Sequence, residues 1–131
     1  MRKLFDNVKM LASFVPAVRT ADANGTGVDT QGYGDAVMLV SAGDIDLANA
    51  DETYVIELEE SDDNSAFTDV TGHDVTITAD NEVDFVRIRE LNVTRKRYLR
   101  AVLNVGGTTP SIPLSVTFLL GESVTGPVNN D

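Results

Sequence analysis

Residues 97–120 read RYLRAVLNVGGTTPSIPLSVTFLL and contain the two longest apolar runs of the chain, which indicate its fold class. The runs RYLRAVLNV (97–105) and IPLSVTFLL (112–120) are rich in β-branched and apolar residues, which favours strands over helices. The segment GGTTPS (106–111) between them is typical of a turn. The pattern predicts two long central strands that pair as a hairpin.

Four shorter runs upstream also have strand character. AVMLV (36–40) is apolar throughout, which indicates a strand buried on both faces. YVIELEE (54–60), DVTIT (74–78) and DFVRIRE (84–90) alternate apolar and polar residues, as half-buried strands do. Turn-forming stretches separate the runs, and no helical pattern lies between them. We therefore expect an all-β fold, an antiparallel β-sandwich of about seven strands in two packed sheets.

The 131 residues suffice for one domain. Near the amino terminus, one face of a helix would carry Phe5, Val8, Leu11 and Val15, and Pro16 would end that helix. The first residues therefore have the pattern of an extended or partly helical arm. The predicted organisation is an N-terminal arm (1–18), a β-sandwich domain (19–125) and a C-terminal tail (126–131).

The net charge of −11 is unevenly distributed. No Lys or Arg lies between Thr20 and Val86, whereas six of the ten basic residues fall between Arg87 and Arg100. An acidic protein gains little from neutralising phosphates over most of its surface, so we expect no nucleic-acid partner. No apolar run is long enough to span a bilayer, so we expect no membrane partner either. The basic segment TRKRYLR (94–100) is either a solvated start of a strand or an electrostatic docking patch for a protein partner.

Few residues suit catalysis or metal binding. The chain has no cysteine, which excludes disulfides, thiolate zinc sites and cysteine nucleophiles. Its one histidine, His73, lies in the turn-like stretch TGHD, and no G-x-S-x-G motif exposes a nucleophilic serine. We expect no catalytic residues, no cofactor and no enzymatic activity.

Two acidic stretches, SAGDIDLANADE (41–52) and LEESDDNSAF (58–67), have the carboxylates that a calcium site needs. Neither has the glycine and the ligand spacing of a helix-loop-helix calcium loop. Asp, Asn and Ser side chains at a turn commonly accept hydrogen bonds from the neighbouring backbone. We therefore predict no metal site, and we interpret SDDNS (61–65) as a hairpin tip with Leu58 and Phe67 in the core.

Three stretches together carry a family resemblance: ADANGTGVDTQGYGDAVMLVSAG (21–43), YVIELEESDDNSAFTDVTGHDV (54–75) and KRYLRAVLNVGG (96–107). They resemble the small β-sandwich proteins encoded among the virion structural genes of tailed bacteriophages, a group that includes head decoration, or capsid cement, proteins. The resemblance extends over roughly residues 14–120 and includes no catalytic signature.

The resemblance implies a virion structural protein, made in the cytoplasm of the host bacterium, that binds the outer surface of an icosahedral capsid. Such a protein stabilises the shell by bridging subunits of the major capsid protein, and it self-associates, with a homotrimer expected. Apolar residues of the arm and the basic cluster would supply the contacts. The residues expected to contact a partner are Phe5, Leu11, Phe14, Val15, Arg95, Lys96 and Arg97.

Two other functions are compatible with the same fold. The first is a tail- or fibre-associated β-sandwich module that binds a host-surface glycan or another virion protein, although the chain has no Trp and only three Tyr for sugar stacking. The second is a hydrolase, which would need Asp and Glu side chains that converge in a pocket.

Overall fold

A computed structural model describes residues 3–123 as two packed antiparallel sheets, which confirms the predicted all-β sandwich. Apart from one 3₁₀ helix, Leu4–Asp6, all regular structure in these residues is β-strand, and no helix among them is long and apolar enough to cross a membrane. The predicted C-terminal tail, 126–131, lies outside the described residues. The strands are β1 Lys9–Arg19, β2 Ala23–Asn24, β3 Val28–Asp29, β4 Asp35–Ala42, β5 Thr53–Ser61, β6 Thr68–Asp69, β7 Val75–Ile77, β8 Val83–Arg89, β9 Tyr98–Gly106 and β10 Ile112–Gly121.

Each sheet is built around one long strand. The four-stranded sheet has the order β1-β10-β4-β8, so β10 lies in its interior. The six-stranded sheet has the order β2-β9-β5-β6, with β3 also paired to β9 and β7 to β5. The register of β9 on β5 is unbroken from Thr53, opposite Gly106, to Ser61, opposite Tyr98.

The predicted hairpin of the two long strands is wrong, because β9 and β10 belong to different sheets. Both strands are central, as expected, but each pairs with other strands: β9 with β5, and β10 with β1 and β4. Leu99, Ala101 and Leu103 on β9 are buried, as are Val116 and Phe118 on β10. Stacking two sheets buries these apolar sides against each other, whereas a hairpin would only place them side by side.

The core between the sheets also contains the inward-facing residues of β4 and β5. Tyr54, Ile56 and Leu58 on β5 are fully buried, as the alternating pattern predicts. The Tyr54 hydroxyl donates a hydrogen bond to the carbonyl of Asp46 (2.6 Å) and accepts one from the backbone N–H of Ser111 (2.9 Å). A single buried phenol thereby joins two loops at this end of the sandwich.

The structure corrects the predicted boundary between arm and sandwich at residue 18. Residues expected in a peripheral arm form β1, which pairs with β10 from Lys9, opposite Leu120, to Arg19, opposite Ile112. Pro16 is compatible with a strand here because β1 is an edge strand, where a missing N–H costs no ladder bond. Register shifts on both sides of Phe14 interrupt the alternation, so the adjacent Ser13 and Phe14 are both buried.

Candidate binding surface

The outer side of the four-stranded sheet carries an apolar patch among polar residues. Its cross-strand register places Met10, Leu119 and Val37 side by side in one row, and Leu39 beside Phe85 in the next. Met10 and Phe85 are 66% and 65% exposed. Contiguous apolar surface of this kind on a soluble protein commonly marks a binding site. This surface, called the apolar face below, consists of Met10, Val37, Leu39, Val83, Phe85 and Leu119.

Strand β4 shows why the apolar face is unusual. Its AVMLV run predicts burial on both sides, and Ala36, Met38 and Val40 are indeed buried in the core. Val37 and Leu39 point to the other side and are only half-buried. Within residues 3–123 no layer covers the outer side of β4. The apolar residues on that side are typical of a strand whose two faces both pack against other parts of a protein.

The 3₁₀ helix borders this surface at the start of β1. Leu4 and Phe5 are both exposed, and together with Val8, Met10 and Leu119 they line a groove of about 680 Å³. The groove extends the apolar face past the edge of the sheet. Its size is in the range of sites that receive apolar side chains of a partner or a small molecule.

The outer side of the six-stranded sheet is polar by contrast. There the Arg100 guanidinium lies 2.6 Å from the Glu59 carboxylate and 4.1 Å from the centre of the Phe67 ring. The prediction that Phe67 lies in the core is wrong: its ring packs against the Arg100 guanidinium on the outer side of the sheet and is only half-buried. The two sides of the sandwich therefore differ in character, which gives the molecule one apolar side for binding.

The four apolar residues predicted to contact a partner are not brought together. Phe5 is exposed beside the groove, and Val15 is exposed on β1. Leu11 packs partly against the core, and Phe14 is buried within it. Sequence reasoning missed Met10, Leu39 and Phe85; the apolar residues on both sides of β4 were a signal for Leu39, whereas Met10 and Phe85 join it only through the register of β1 and β8 in the sheet.

The predicted basic contacts are already neutralised within the chain. The Arg97 side chain donates two hydrogen bonds to the Asp29 carboxylate, at 2.8 and 2.9 Å. The Arg95 guanidinium lies 3.6 Å from the Glu60 carboxylate, and the Lys96 ammonium lies 3.8 Å from that of Asp62. These pairs favour the interpretation of TRKRYLR as the start of a strand, because a partner would have to compete with internal carboxylates.

The ion pair of Arg97 also affects titration. Hydrogen bonds from the Arg97 side chain are the main reason that the pKa of Asp29 lies below its ordinary value. The same contact raises the pKa of Arg97. The pair therefore holds its charges over a wide pH range, and it joins β3 to the start of β9.

The acidic hairpin tip matches its interpretation as a turn. One carboxylate oxygen of Asp63 accepts hydrogen bonds from the backbone N–H groups of Ser65 (2.9 Å) and Ala66 (3.0 Å) and from the hydroxyl of Ser61 (2.8 Å). The bond from Ala66 is the largest of the effects that lower the pKa of Asp63. Leu58, before the tip, is fully buried as predicted.

The remaining candidates for chemistry do not converge. In the loop before β5, Asp46 accepts a hydrogen bond from the backbone of Ala48, and Asp51 accepts two from Thr108. His73 is at hydrogen-bond distance, 3.1 Å, from the carbonyl of Thr71 two residues earlier. Among residues 3–123, no three His, Asp or Glu side chains are grouped so that they could hold a metal ion.

Comparisons with known proteins give little support for an assignment. No protein-family model matches the sequence, and no curated protein matches it. Among solved structures, the chain is similar to a family two carbohydrate esterase from Cellvibrio japonicus, at 10% sequence identity and a TM-score of 0.30. The similarity covers 95% of this chain but only 36% of the esterase, and at this level neither fold nor activity is transferred.

Proposed function

We propose that the protein is a non-catalytic virion structural protein of a tailed bacteriophage, which binds the outer surface of the capsid and bridges subunits of the major capsid protein. It is made in the host cytoplasm and located on the virion. The resemblance of residues 14–120 to head decoration proteins supplies this assignment. One structural observation supports a binding role: an apolar sheet face that nothing in residues 3–123 covers.

The apolar face, and not the basic cluster, makes the main contact in this proposal. Arg95, Lys96 and Arg97 each have an internal carboxylate partner, so a contact with a partner's carboxylate would replace an existing surface ion pair rather than add a new one. Burial of exposed apolar surface carries no such competing interaction, and it stabilises by roughly 25 cal/mol for each Å² removed from water.

The rim of the apolar face suits attachment to a large partner. Leu4 and Phe5 project from the 3₁₀ helix beside the groove, and both are more than half exposed. Exposed apolar side chains at the border of a contact enlarge it, and their burial stabilises the contact in proportion to the area removed from water. The acidic surface elsewhere keeps the free protein soluble until it binds.

Co-sedimentation of the purified protein with expanded, mature capsids tests the proposal. The variants Met10→Thr and Phe85→Thr should weaken binding by about tenfold or more each, because each removes a large exposed apolar side chain from the contact. Val93→Thr is the matched control: Val93 is 81% exposed, lies outside the sheet and should bind as the unaltered protein does.

The possible results separate the parts of the proposal. Failure of the unaltered protein to bind heads, with binding to tails or to a host glycan instead, would favour the tail- or fibre-associated module. Binding to heads that is unchanged in both threonine variants would support the capsid assignment but exclude the apolar face as the contact.

A further inference from the structure

Strand β8 forms one edge of the four-stranded sheet, and no described strand pairs with its free edge. In an antiparallel ladder, alternate residues direct their backbone groups toward the same neighbour. The N–H of Ala42 donates to the carbonyl of Glu82, the residue directly before β8. Because every second residue of β8 faces β4 in the same way, the even-numbered residues of β8 bond to β4. The N–H and C=O groups of Val83, Phe85, Arg87 and Arg89 therefore point away from the sheet.

The other edge of the same sheet is protected against strand addition. Pro16 lies within β1, and two register shifts break the line of its backbone groups. The connection after β2 also covers part of this edge, because Thr26 donates a backbone hydrogen bond to the carbonyl of Ser13 (2.8 Å). Strand β8 has no proline and no register shift against β4. Such an open, regular edge is a site for pairing with another strand.

We propose that two copies of this chain associate by antiparallel pairing of β8 with β8, about a two-fold axis at Val86, to form one continuous eight-stranded sheet. In this register Phe85 lies opposite Arg87 of the second copy, and Val83 lies opposite Arg89. The seven residues of β8 then pair along their full length, and the outward-pointing backbone groups of each copy bond to those of the other. The N–H of Phe85, which donates to the neighbouring Asp84 carboxylate (2.8 Å) in the single chain, exchanges that bond for one to the second copy.

The side chains of β8 are complementary in this register. No two like charges oppose each other, since each arginine faces an apolar residue and Asp84 faces Ile88. The Arg87 guanidinium is held by Asp35 at 2.9 Å and remains 53% exposed, so its open side is available to stack on the Phe85 ring of the second copy. Centring the axis on Arg87 instead would place two guanidinium groups opposite each other.

The pairing has a consequence for capsid attachment, and this consequence alone rests on the proposed function. A two-fold axis perpendicular to the sheet places both apolar faces on the same side of the dimer. One dimer then presents two equivalent contacts to a surface, which raises the effective affinity and suits a protein that bridges neighbouring subunits. The homotrimer that the resemblance implies would need a different surface.

Single cysteines provide the test, because the chain has none of its own. In the proposed register the two Val86 residues form a non-hydrogen-bonded pair with Cα atoms about 4.5 Å apart, which suits a disulfide. Under mild oxidation Val86→Cys should cross-link most chains into dimers. Asp84→Cys is the matched control on the same strand and side, and its two copies would lie about 13 Å apart and remain uncross-linked.

Charge substitution at Phe85 tests the register independently by sedimentation of the protein alone. Phe85→Lys places a like charge opposite Arg87 twice in each dimer and should raise the dimer dissociation constant by about tenfold or more. Phe85→Glu changes the same exposed position but faces the arginine with an opposite charge, so its dimer should persist.

A monomer or a trimer of the unaltered protein at high concentration would overturn the inference, and so would a dimer that Val86→Cys does not cross-link or that Phe85→Lys does not weaken. Because these measurements need no capsid, such a result leaves the proposed capsid binding standing. Conversely, a cross-linked dimer that fails to bind heads would refute the proposed function alone.

Discussion

Replacing Phe14 with alanine distinguishes a core strand from a peripheral arm. The Phe14 side chain is 3% exposed, and the guanidinium carbon of Arg19 lies 4.5 Å from its ring centre. Truncation of a buried Phe to Ala costs roughly 3–5 kcal/mol, and loss of the cation–π contact accounts for about 0.5–1 kcal/mol of such a change. A domain is stable by only roughly 5–15 kcal/mol, so Phe14→Ala should remove a large part of the free energy of unfolding.

Urea unfolding followed by far-ultraviolet circular dichroism measures the free energy of unfolding, and thermal unfolding followed by the same signal measures the melting temperature. At about 4 °C per kcal/mol for a chain of this length, the melting temperature of Phe14→Ala should fall by roughly 12–20 °C. The adjacent Val15, which is 62% exposed, is the matched control, and Val15→Ala should change the unfolding free energy by no more than about 0.5 kcal/mol.

A loss of less than about 1 kcal/mol in Phe14→Ala would refute the placement of β1 in the sandwich. In that case Phe14 would belong to an arm, and its truncation should weaken attachment to a partner while the unfolding curve stays unchanged.

Three further substitutions test other parts of the structure. Ser13→Ala should lower the unfolding free energy by roughly 1–3 kcal/mol, because the Ser13 hydroxyl accepts a bond from a buried N–H of β9 (2.9 Å) that would lose its partner. Gly107→Ala should destabilise by about 3 kcal/mol or more, since a Cβ there would lie 2.6 Å from backbone atoms at a φ of +97°; Gly72→Ala, at a φ of +83° but in open space, should cost only about 1 kcal/mol. Arg97 lowers the pKa of Asp29 in the folded state. The ionised Asp29 carboxylate therefore stabilises the fold at pH values above its ordinary pKa, and this stabilisation disappears as the pH falls through the pKa of the folded state. The urea midpoints of the unaltered protein and Asp29→Asn should therefore differ at pH 6 and converge at low pH, and a difference independent of pH would contradict this assignment.

Part of the fold follows from local pattern. The alternation in YVIELEE identifies Tyr54, Ile56 and Leu58 as core residues, and the structure confirms all three. Six of the seven strands with three or more residues coincide with runs that the sequence marks as strands. The turn at 61–65 is predictable for the same reason, because Asp63 bonds to its own backbone neighbours whatever the rest of the chain does.

The binding surface was only partly predictable. The AVMLV run reveals that both sides of β4 are apolar, but it does not tell which side the second sheet covers. Phe85 reads as one member of an alternating strand, and its place beside Leu39 depends on the register between β4 and β8. Likewise, Arg95, Lys96 and Arg97 form a free basic patch in the sequence, and only the fold brings Asp29, 68 positions away, to Arg97.

The all-β sandwich class, the positions of six strands and the core side of alternating strands such as β5 follow from the local sequence, because a period of two depends only on neighbouring residues. Tertiary packing fixed the arrangement of the strands. It placed β9 and β10 in different sheets, made residues 9–19 an edge strand and left one apolar face uncovered. The physical reason is that an apolar strand side gains the same free energy against any apolar neighbour, so the choice among neighbours depends on register, edge geometry and the packing of segments distant in sequence.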